Sequence, residues 1–245
     1  MDTRLDNPIL AILGYHKIGE PSTGAPTTCW YIPEPIFREH LHYLSVHGWE
    51  VISAERFVQG LSEPDTLPLR AALLTFDDGY KSMLGVTAPC LLEFGYPSVA
   101  FIPTKYVGGH NDWDSGRQPP ERVCSWDDLR ELEQCGCSIQ SHGVRHAGFA
   151  GLAQQEQEEE LCRSKAVIEA ELGKPVQIFA YPYGQVSSDR SALCGALKRA
   201  GYRAACLFQN PGAVIKLPAE DIYFLPRVPM FAYSDLSTLL PSKPM

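Results

Sequence analysis

The stretch "LLTFDDGY", residues 73–80, ends an apolar run in two adjacent aspartates. The run is short, and the turn-forming Gly79 follows the acids directly, which is typical of a buried strand that ends here. Two neighbouring carboxylates repel each other, so a strand that ends in Asp77 and Asp78 carries an electrostatic cost. We therefore expect both acids to have a chemical use.

On both sides of this stretch one pattern recurs: an amphipathic helix, a glycine and then a β-rich run. The glycines are Gly48, Gly95, Gly136, Gly173 and Gly201. A glycine just past a helix end adopts the left-handed conformation at little steric cost. The repeated unit predicts alternating helices and strands around a parallel sheet.

The expected strands are apolar runs that suit burial on both faces. They cover residues 9–14, 49–53, 71–76, 98–103, 137–141, 177–181, 204–208 and 222–226. The expected helices cover about residues 34–47, 54–61, 80–94, 126–135, 153–172, 189–200 and 233–240. Ser125 followed by Asp128 predicts a capping box at the fourth helix. The acidic run within the fifth helix is interpreted as a solvated face without chemistry.

The composition is that of an ordinary globular protein, with 44% hydrophobic and 20% charged residues among 245. Alternating α/β barrels often use such a length for one domain, so we predict a single domain over residues 1–245. The formal net charge of −8 argues against nucleic-acid binding. No apolar run approaches the ~20 residues of a membrane-spanning helix, so no membrane span is expected.

The N-terminal sequence and the cysteines bear on the cellular compartment. Residues 1–16 start with an acid and lack the basic region and the long apolar core of a signal peptide. This predicts a cytoplasmic protein, unless an export signal was removed. The eight cysteines show no disulfide framework, so reduced thiols are expected. Cys135 and Cys137 form a C-x-C pair, but no second pair completes a zinc site.

Polar residues follow the expected strands at the point where each strand ends. These residues are His16, Asp77, Asp78, His142, Tyr183 and Arg227. In a parallel α/β barrel the C-terminal ends of all strands open on the same face, where such barrels keep their active sites. We therefore expect these residues to meet at one rim, although they are scattered along the chain.

The histidines of "SHGVRH" are four positions apart, at His142 and His146. This spacing can aim two imidazoles at one ion, and two histidines with one carboxylate form a frequent catalytic zinc set. Asp77 and Asp78 could divide the labour, since one carboxylate can bind the cation while the other takes a proton. Two structural interpretations stay open: a surface or capping histidine pair, and a turn aspartate followed by a helix N-cap aspartate.

Three stretches, "TFDDGY", "SHGVRH" and "FAYPYG", together resemble the polysaccharide deacetylase family, also called the NodB-homology or carbohydrate esterase family 4 enzymes. The resemblance covers roughly residues 8–230, and "GYHKI" is similar to the start of the subgroup that deacetylates poly-N-acetylglucosamine. It implies an α/β fold, a distorted and often incomplete (β/α)7–8 barrel related to the TIM barrel. It also implies a metal-dependent hydrolase that removes N-acetyl groups from N-acetylglucosamine in a polysaccharide or oligosaccharide.

The resemblance also implies a role for each site residue. Asp77 would be the general base, and the backbone N–H of Tyr183 would help to bind the oxyanion. One divalent ion, zinc by default with cobalt, nickel, manganese or iron open, would be held by Asp78, His142 and His146. Arg227 would orient or neutralise Asp77, or alternatively form a structural salt bridge at the barrel rim.

Two departures from the family pattern concern the third and the last motifs. Many members carry an arginine before the Pro-Tyr of the third motif, where this chain has Tyr181. Many also carry a late Leu-x-His that supplies the general acid, but no histidine follows His146 here. His16 is the candidate substitute, with a structural histidine as the alternative. The family's usual tryptophan motif is also absent, and Trp113 could stack on a sugar or pack within its loop.

Two further functions stay open at this point. The first is a cytoplasmic N-deacylase that acts on a small or lipid-linked amide, since no secretion signal is visible. The second is a catalytically inactive sugar-binding homologue, against which the intact acid and histidine pairs argue.

Overall fold

The computed structural model of the chain describes residues 7–21, 26–209 and 214–241. The strands are Ile9–Tyr15 (β1), Lys17–Ile18 (β2), Tyr31–Ile32 (β3), Glu50–Val51 (β4), Arg70–Asp77 (β5), Ser98–Ile102 (β6), Cys137–Ser141 (β7), Ile178–Ala180 (β8), Ala204–Cys206 (β9), Ile215–Lys216 (β10) and Val228–Pro229 (β11). The α-helices are Glu34–Val46 (α1), Ala54–Ser62 (α2), Ala88–Phe94 (α3), Trp126–Gln134 (α4), Gln154–Leu172 (α5), Arg190–Ala200 (α6) and Leu236–Leu239 (α7). None of the described helices is long and apolar enough to cross a bilayer.

One nine-stranded sheet organises the described residues, in the order β10-β1-β5-β6-β7-β8-β9, with β11 on β1 and β4 on β5. All pairings in this sheet are parallel except that of β10. β1 and β5 pair along seven residues, from Ile9 with Arg70 to Tyr15 with Phe76. The C-terminal ends of the central strands therefore meet at one edge, as the sequence predicts.

The two faces of β5 enter two separate apolar cores. Ala72, Leu74 and Phe76 join a cluster that also contains side chains of α1 and α4. Ala71 and Leu73 join a second cluster built from β1, β6, β8 and β9, which fills the inside of the curled sheet. Because side chains alternate along a strand, Asp77 at the end of β5 lies on this inner face.

The curl is completed by residues 225–229, which we call the closing segment. Leu225 forms a parallel bridge with Cys206 at the end of β9, and Val228 pairs with Leu13 of β1. The prediction of a strand over residues 222–226 is wrong, because only an isolated bridge forms there and β11 lies further along. The structure is a curled half-barrel whose two ends are linked by short pairings, which confirms the α/β, distorted-barrel expectation.

Most helices follow the sequence pattern closely. The capping box at α4 is confirmed, since Ser125 accepts from the Asp128 N–H and Asp128 accepts from the Ser125 N–H. The five glycines that follow helices all have φ between 67° and 83°. The helix predicted over residues 80–94 is wrong at its start, because Tyr80 bridges Val123 and a π-helical turn precedes α3.

Candidate active site

The strand-end residues meet in one pocket of about 270 Å³ at the C-terminal edge of the sheet. Its lining includes His16, Asp77, Asp78, His142, His146 and Tyr183. Arg227 is fully buried against Asp77. Asp77 and Arg227, which are 150 positions apart in sequence, therefore share one site.

Asp77 is held by a two-pronged ion pair with Arg227. Nη1 and Nη2 of the arginine donate to the two carboxylate oxygens over 2.6 and 2.7 Å. The arginine also donates to Thr75 Oγ1 over 3.2 Å and to the Leu207 carbonyl over 2.9 Å. Burial would raise the pKa of Asp77, but the charge of Arg227 lowers it, so the pKa lies below its usual value.

Asp78 lies next to two imidazole rings, those of His142 and His146. Its Oδ1 lies 3.0 Å from Nε2 of His146 and 3.7 Å from Nε2 of His142. Burial would raise the pKa of Asp78, but His146 and the neighbouring histidines lower it, which keeps the carboxylate charged. All three side chains are buried, and one ligand atom of each lies within 4.8 Å of the others.

This trio fits a divalent cation better than it fits a network of hydrogen bonds. Oδ1 of Asp78 accepts no well-formed hydrogen bond from any described residue, although it is buried and charged. A buried carboxylate oxygen without such a partner is unfavourable unless a cation balances its charge. The donor set of one carboxylate and two imidazoles matches catalytic zinc sites, so Asp78, His142 and His146 could hold the ion.

The protonation of His142 is set by the neighbouring strand. Its Nδ1 lies 2.8 Å from the carbonyl oxygen of Ala180, at the end of β8, and must donate its hydrogen to that acceptor. Nε2, which faces the two aspartates, is then free of a proton and can act as a ligand. Burial is the main cause that lowers the pKa of His142 to about 4, despite the nearby Asp77.

Three non-glycine residues of the site have left-handed backbone conformations: Asp78 (φ 74°), His146 (φ 55°) and Tyr183 (φ 58°). Such conformations are costly for residues with a Cβ and concentrate at functional sites. At Asp78 the left-handed turn follows the end of β5. The two adjacent carboxylates can therefore take different partners, Arg227 for Asp77 and the imidazoles for Asp78.

Glu160 of α5 fixes the loop between the two histidines. Its Oε2 accepts from the backbone N–H of Val144 over 2.6 Å and of Arg145 over 3.0 Å, and its Oε1 accepts from the Arg145 side chain. Gly143 has a φ of 79°, and a Cβ at this position would lie 2.8 Å from the Glu160 carboxylate. The interpretation of the acidic run as a solvated face is therefore wrong at Glu160, which is 1% exposed.

His16 and Tyr183 lie on the pocket walls. The His16 ring packs against Trp30 and Phe208 at centroid distances of 4.6 and 5.0 Å, and its buried Nδ1 has no partner among the described residues. Burial holds the pKa of His16 below its usual value, and Asp78 and Asp77 offset part of this shift. Tyr183 is 45% exposed and its ring packs edge-on against His146.

The long loop over residues 105–124 forms another wall. Trp113 stacks on the His146 ring at 4.8 Å and contacts Tyr106 of the same loop, so packing against these two rings occupies the indole. Asn111 clips the loop by donating to the Pro119 carbonyl and accepting from the Glu121 N–H. The structure thus favours the packing alternative for Trp113 and gives the loop a part in the site.

Sequence patterns assign no role to Lys17 and Trp30, which line the pocket, or to Glu160, which fixes the loop between the two histidines. Lys17 follows His16 at a strand end, which is a usable signal because strand ends supply the other site residues. Trp30 and Glu160 reach the site only through tertiary packing, and no local pattern indicates it.

The fold is shared with known deacetylases. The Streptococcus pyogenes deacetylase PplD, solved in complex with acetate, matches with a TM-score of 0.80 and 21% identity, over 96% of this chain and 100% of that chain. The structure therefore belongs to the class of NodB-like deacetylase barrels.

The family is shown by the sequence comparison. A profile of the family described as polysaccharide deacetylase matches residues 65–205, more than half of the chain. YxkH of Bacillus subtilis, which has a provisional polysaccharide deacetylase name, is 25% identical over 89% of this chain and 70% of its own length. The poly-β-1,6-N-acetyl-D-glucosamine N-deacetylase of Staphylococcus epidermidis is 20% identical over 78% of this chain and 65% of its own length. The chain belongs to the polysaccharide deacetylase family and is a hydrolase of carbon–nitrogen bonds other than peptide bonds.

The buried ion pair gives a stability prediction. Arg227→Met leaves Asp77 buried without its partner, and we expect a loss of about 3–5 kcal/mol in the free energy of unfolding at pH 7. Without the arginine, burial raises the pKa of Asp77 above its unfolded value of about 3.9. The charged carboxylate then destabilises the variant at pH values above about 3.9 and not below. The loss in the free energy of unfolding therefore shrinks as the pH falls from 7 to 4.5.

Urea unfolding with a chelator present, at both pH values, measures this deficit. Arg199→Met is the control, since Arg199 pairs with Glu158 at the exposed surface and should lose at most about 1 kcal/mol. Equal losses in the two variants, or a deficit that grows toward low pH, would contradict the argument.

The Glu160 contacts predict an effect on metal binding. Glu160→Ala leaves the Val144 and Arg145 N–H groups unpaired, and we expect zinc affinity to fall about 10- to 100-fold. Glu160→Gln keeps one acceptor oxygen and should lose less. Competition titration with a zinc chelator gives the affinities, and hydrogen exchange of the Val144 amide reports on the loop.

Glu159→Ala is the matched control, because Glu159 is exposed and pairs with Arg163 in the next turn of the helix. If Glu160→Ala binds zinc as tightly as this control, the carboxylate has no part in placing the two histidines.

Proposed function

We propose that this protein removes N-acetyl groups from N-acetylglucosamine units of a polysaccharide or oligosaccharide by metal-dependent hydrolysis. The observation that carries the proposal is the meeting of the Asp77–Arg227 pair and the Asp78–His142–His146 trio in one pocket. Family membership and the named activity of the Staphylococcus epidermidis relative support the same substrate class.

In the proposed reaction, water adds to the acetamide carbon, and the carbon–nitrogen bond then breaks to give acetate and a free amine. A divalent ion at Asp78, His142 and His146, zinc by default with cobalt, nickel, manganese or iron as alternatives, supplies Lewis acidity for the carbonyl and the attacking water. Asp77 takes the proton of the water as general base.

Other groups of the chain complete the proton transfers. Arg227 holds Asp77 with both carboxylate oxygens engaged, which fixes the direction in which the base faces the pocket. The backbone N–H of Tyr183 would donate to the oxyanion of the tetrahedral intermediate. His16 lines the same pocket and would hand a proton to the leaving amine, in place of the family's missing late histidine.

The domain organisation and the cellular location of the protein stay predictions. The single domain over residues 1–245 is supported by the one nine-stranded sheet and by the match to PplD over 96% of the chain. The cytoplasmic location also stays a prediction. It belongs to the second candidate function, an N-deacylase that acts in the cytoplasm on a small or lipid-linked amide. The inactive sugar-binding homologue is disfavoured, since the base and all three candidate ligands line the pocket.

The division of roles at the acid pair predicts different failures in two variants. Asp77→Asn should keep the metal and lose about 10²–10⁴-fold in acetate release, because only the proton acceptor is removed. His142→Ala should lose both metal and activity, because it removes a ligand. Metal analysis and enzymatic acetate assay on N-acetylglucosamine oligomers measure the two properties.

Asp127→Asn is the control, since Asp127 is almost fully exposed on α4 and should keep metal and activity. An active Asp77→Asn enzyme would remove the base assignment, and an active enzyme after complete metal removal would remove the metal dependence.

The substrate class is tested by comparing amides of different size. We expect acetate release from N-acetylglucosamine oligomers to exceed that from small monomeric amides, because an extended glycan can contact the long loop and the walls around the pocket. Chelator should abolish the release and added zinc should restore it. Faster turnover of monomeric amides would instead favour the N-deacylase alternative.

A further inference from the structure

Lys17 is a buried cation whose ammonium donates no hydrogen bond to any described residue. It lies in β2, directly after His16, and is 3% exposed. Its ammonium lies 4.5 Å from the centre of the Tyr31 ring and 4.7 Å from that of the Tyr80 ring. Nζ has no acceptor among the described residues, although Lys17 lines the pocket. The two rings hold the ammonium in place and leave its N–H donors for a ligand.

The charges around Lys17 favour a neutral ligand. Burial holds the pKa of the Lys17 ammonium below its usual value, and the carboxylates of Asp78, Glu121 and Asp114 offset part of this shift. The pocket lining thus combines the positive Lys17 and Arg117 with the negative Asp77, Asp78 and Asp114, of which Asp77 is already paired with Arg227. The chain as a whole has a net charge of −8, which opposes the approach of an anion. A polar but uncharged ligand fits this balance.

The remaining walls suit the apolar face of a sugar ring. Trp30, Tyr183 and Phe208 line the same pocket, and Tyr183 is 45% exposed. Aromatic walls with a few fixed polar groups are typical of small-molecule sites, in which the polar groups set orientation and specificity. Lys17 is such a fixed polar group, since it is buried between two rings.

We propose that Lys17 is a specificity-determining residue, whose ammonium donates a hydrogen bond to a ring hydroxyl oxygen of the N-acetylglucosamine unit bound at Asp77. This inference rests on the proposed function and deepens it. In the proposed function, the Tyr183 N–H and the cation held by Asp78, His142 and His146 would serve the acetamide oxygen, which leaves the ring hydroxyls as acceptors for Lys17. A sugar without the correct hydroxyl leaves the ammonium buried and unpaired, and the site rejects it for this reason.

Binding to deoxy sugars tests the proposal without turnover. The full chain with Asp77→Asn, loaded with zinc, is titrated with methyl N-acetylglucosaminide and its 3-, 4- and 6-deoxy analogues, and NMR gives each Kd. We expect one analogue to bind about 10- to 100-fold more weakly than the parent sugar, because a hydrogen bond to a charged group is lost. With Lys17→Met added, the parent and this analogue should bind equally.

Lys105→Met is the matched control, since Lys105 is exposed and its ammonium lies 5.3 Å from the Tyr106 ring. This variant should keep the discrimination among the sugars. Lys17→Met should melt at or above the temperature of the unmutated chain, because a buried ammonium without a hydrogen-bond partner is removed. A changed Kd then reflects the lost contact and not unfolding.

The possible failures are distinguishable. Unchanged discrimination in the Lys17→Met chain overturns the role of Lys17, and so does the absence of any sugar binding by the chain that retains Lys17. Discrimination that depends on Lys17, together with no acetate release by the enzyme with intact Asp77, supports the role of Lys17 and overturns only the proposed hydrolysis.

Discussion

The site depends on the neutralisation of two adjacent carboxylates inside the barrel. Asp77 and Asp78 are 2% and 3% exposed, and an isolated buried charge is strongly unfavourable. Arg227 balances the first carboxylate through two hydrogen bonds, and His142 and His146 face the second. The guanidinium thus pairs with Asp77 and His146 lies nearest to Asp78, while His142 lies near both carboxylates. This division allows one acid to act as a base while the other binds a cation.

The sequence alone predicts the local parts of this arrangement well. An apolar strand that ends in two acids and a histidine pair of spacing four are visible in short stretches, and both lie where the strand-end argument places them. The closing segment is not predictable in this way, because its pairings with β9 and β1 join distant residues over very short lengths. The start of the helix predicted at residue 80 fails for a similar reason, since Tyr80 pairs with the long loop.

Supporting residues are the least visible in the sequence. Glu160 lies in an acidic run in which Glu158 is half-buried and Glu159 is exposed, so composition gives no sign that this one carboxylate is fully buried. The departure at Tyr181 has a clear structural outcome: the residue is fully buried, stacks on Phe224 and donates to the Tyr223 carbonyl. This position therefore serves packing, while the guanidinium beside the base comes from Arg227.

The closing segment links the integrity of the fold to the chemistry. Arg227 lies between the residues that pair with β9 and β1. The closing segment, which joins the two ends of the sheet, therefore also carries the positive charge that neutralises Asp77. These pairings are short, and short pairings at the margin of a sheet are among the first to open. Fraying there would strip Asp77 of its partner while the remaining strands stayed intact. On warming, such an enzyme would lose its activity at a temperature well below the one at which circular dichroism detects unfolding.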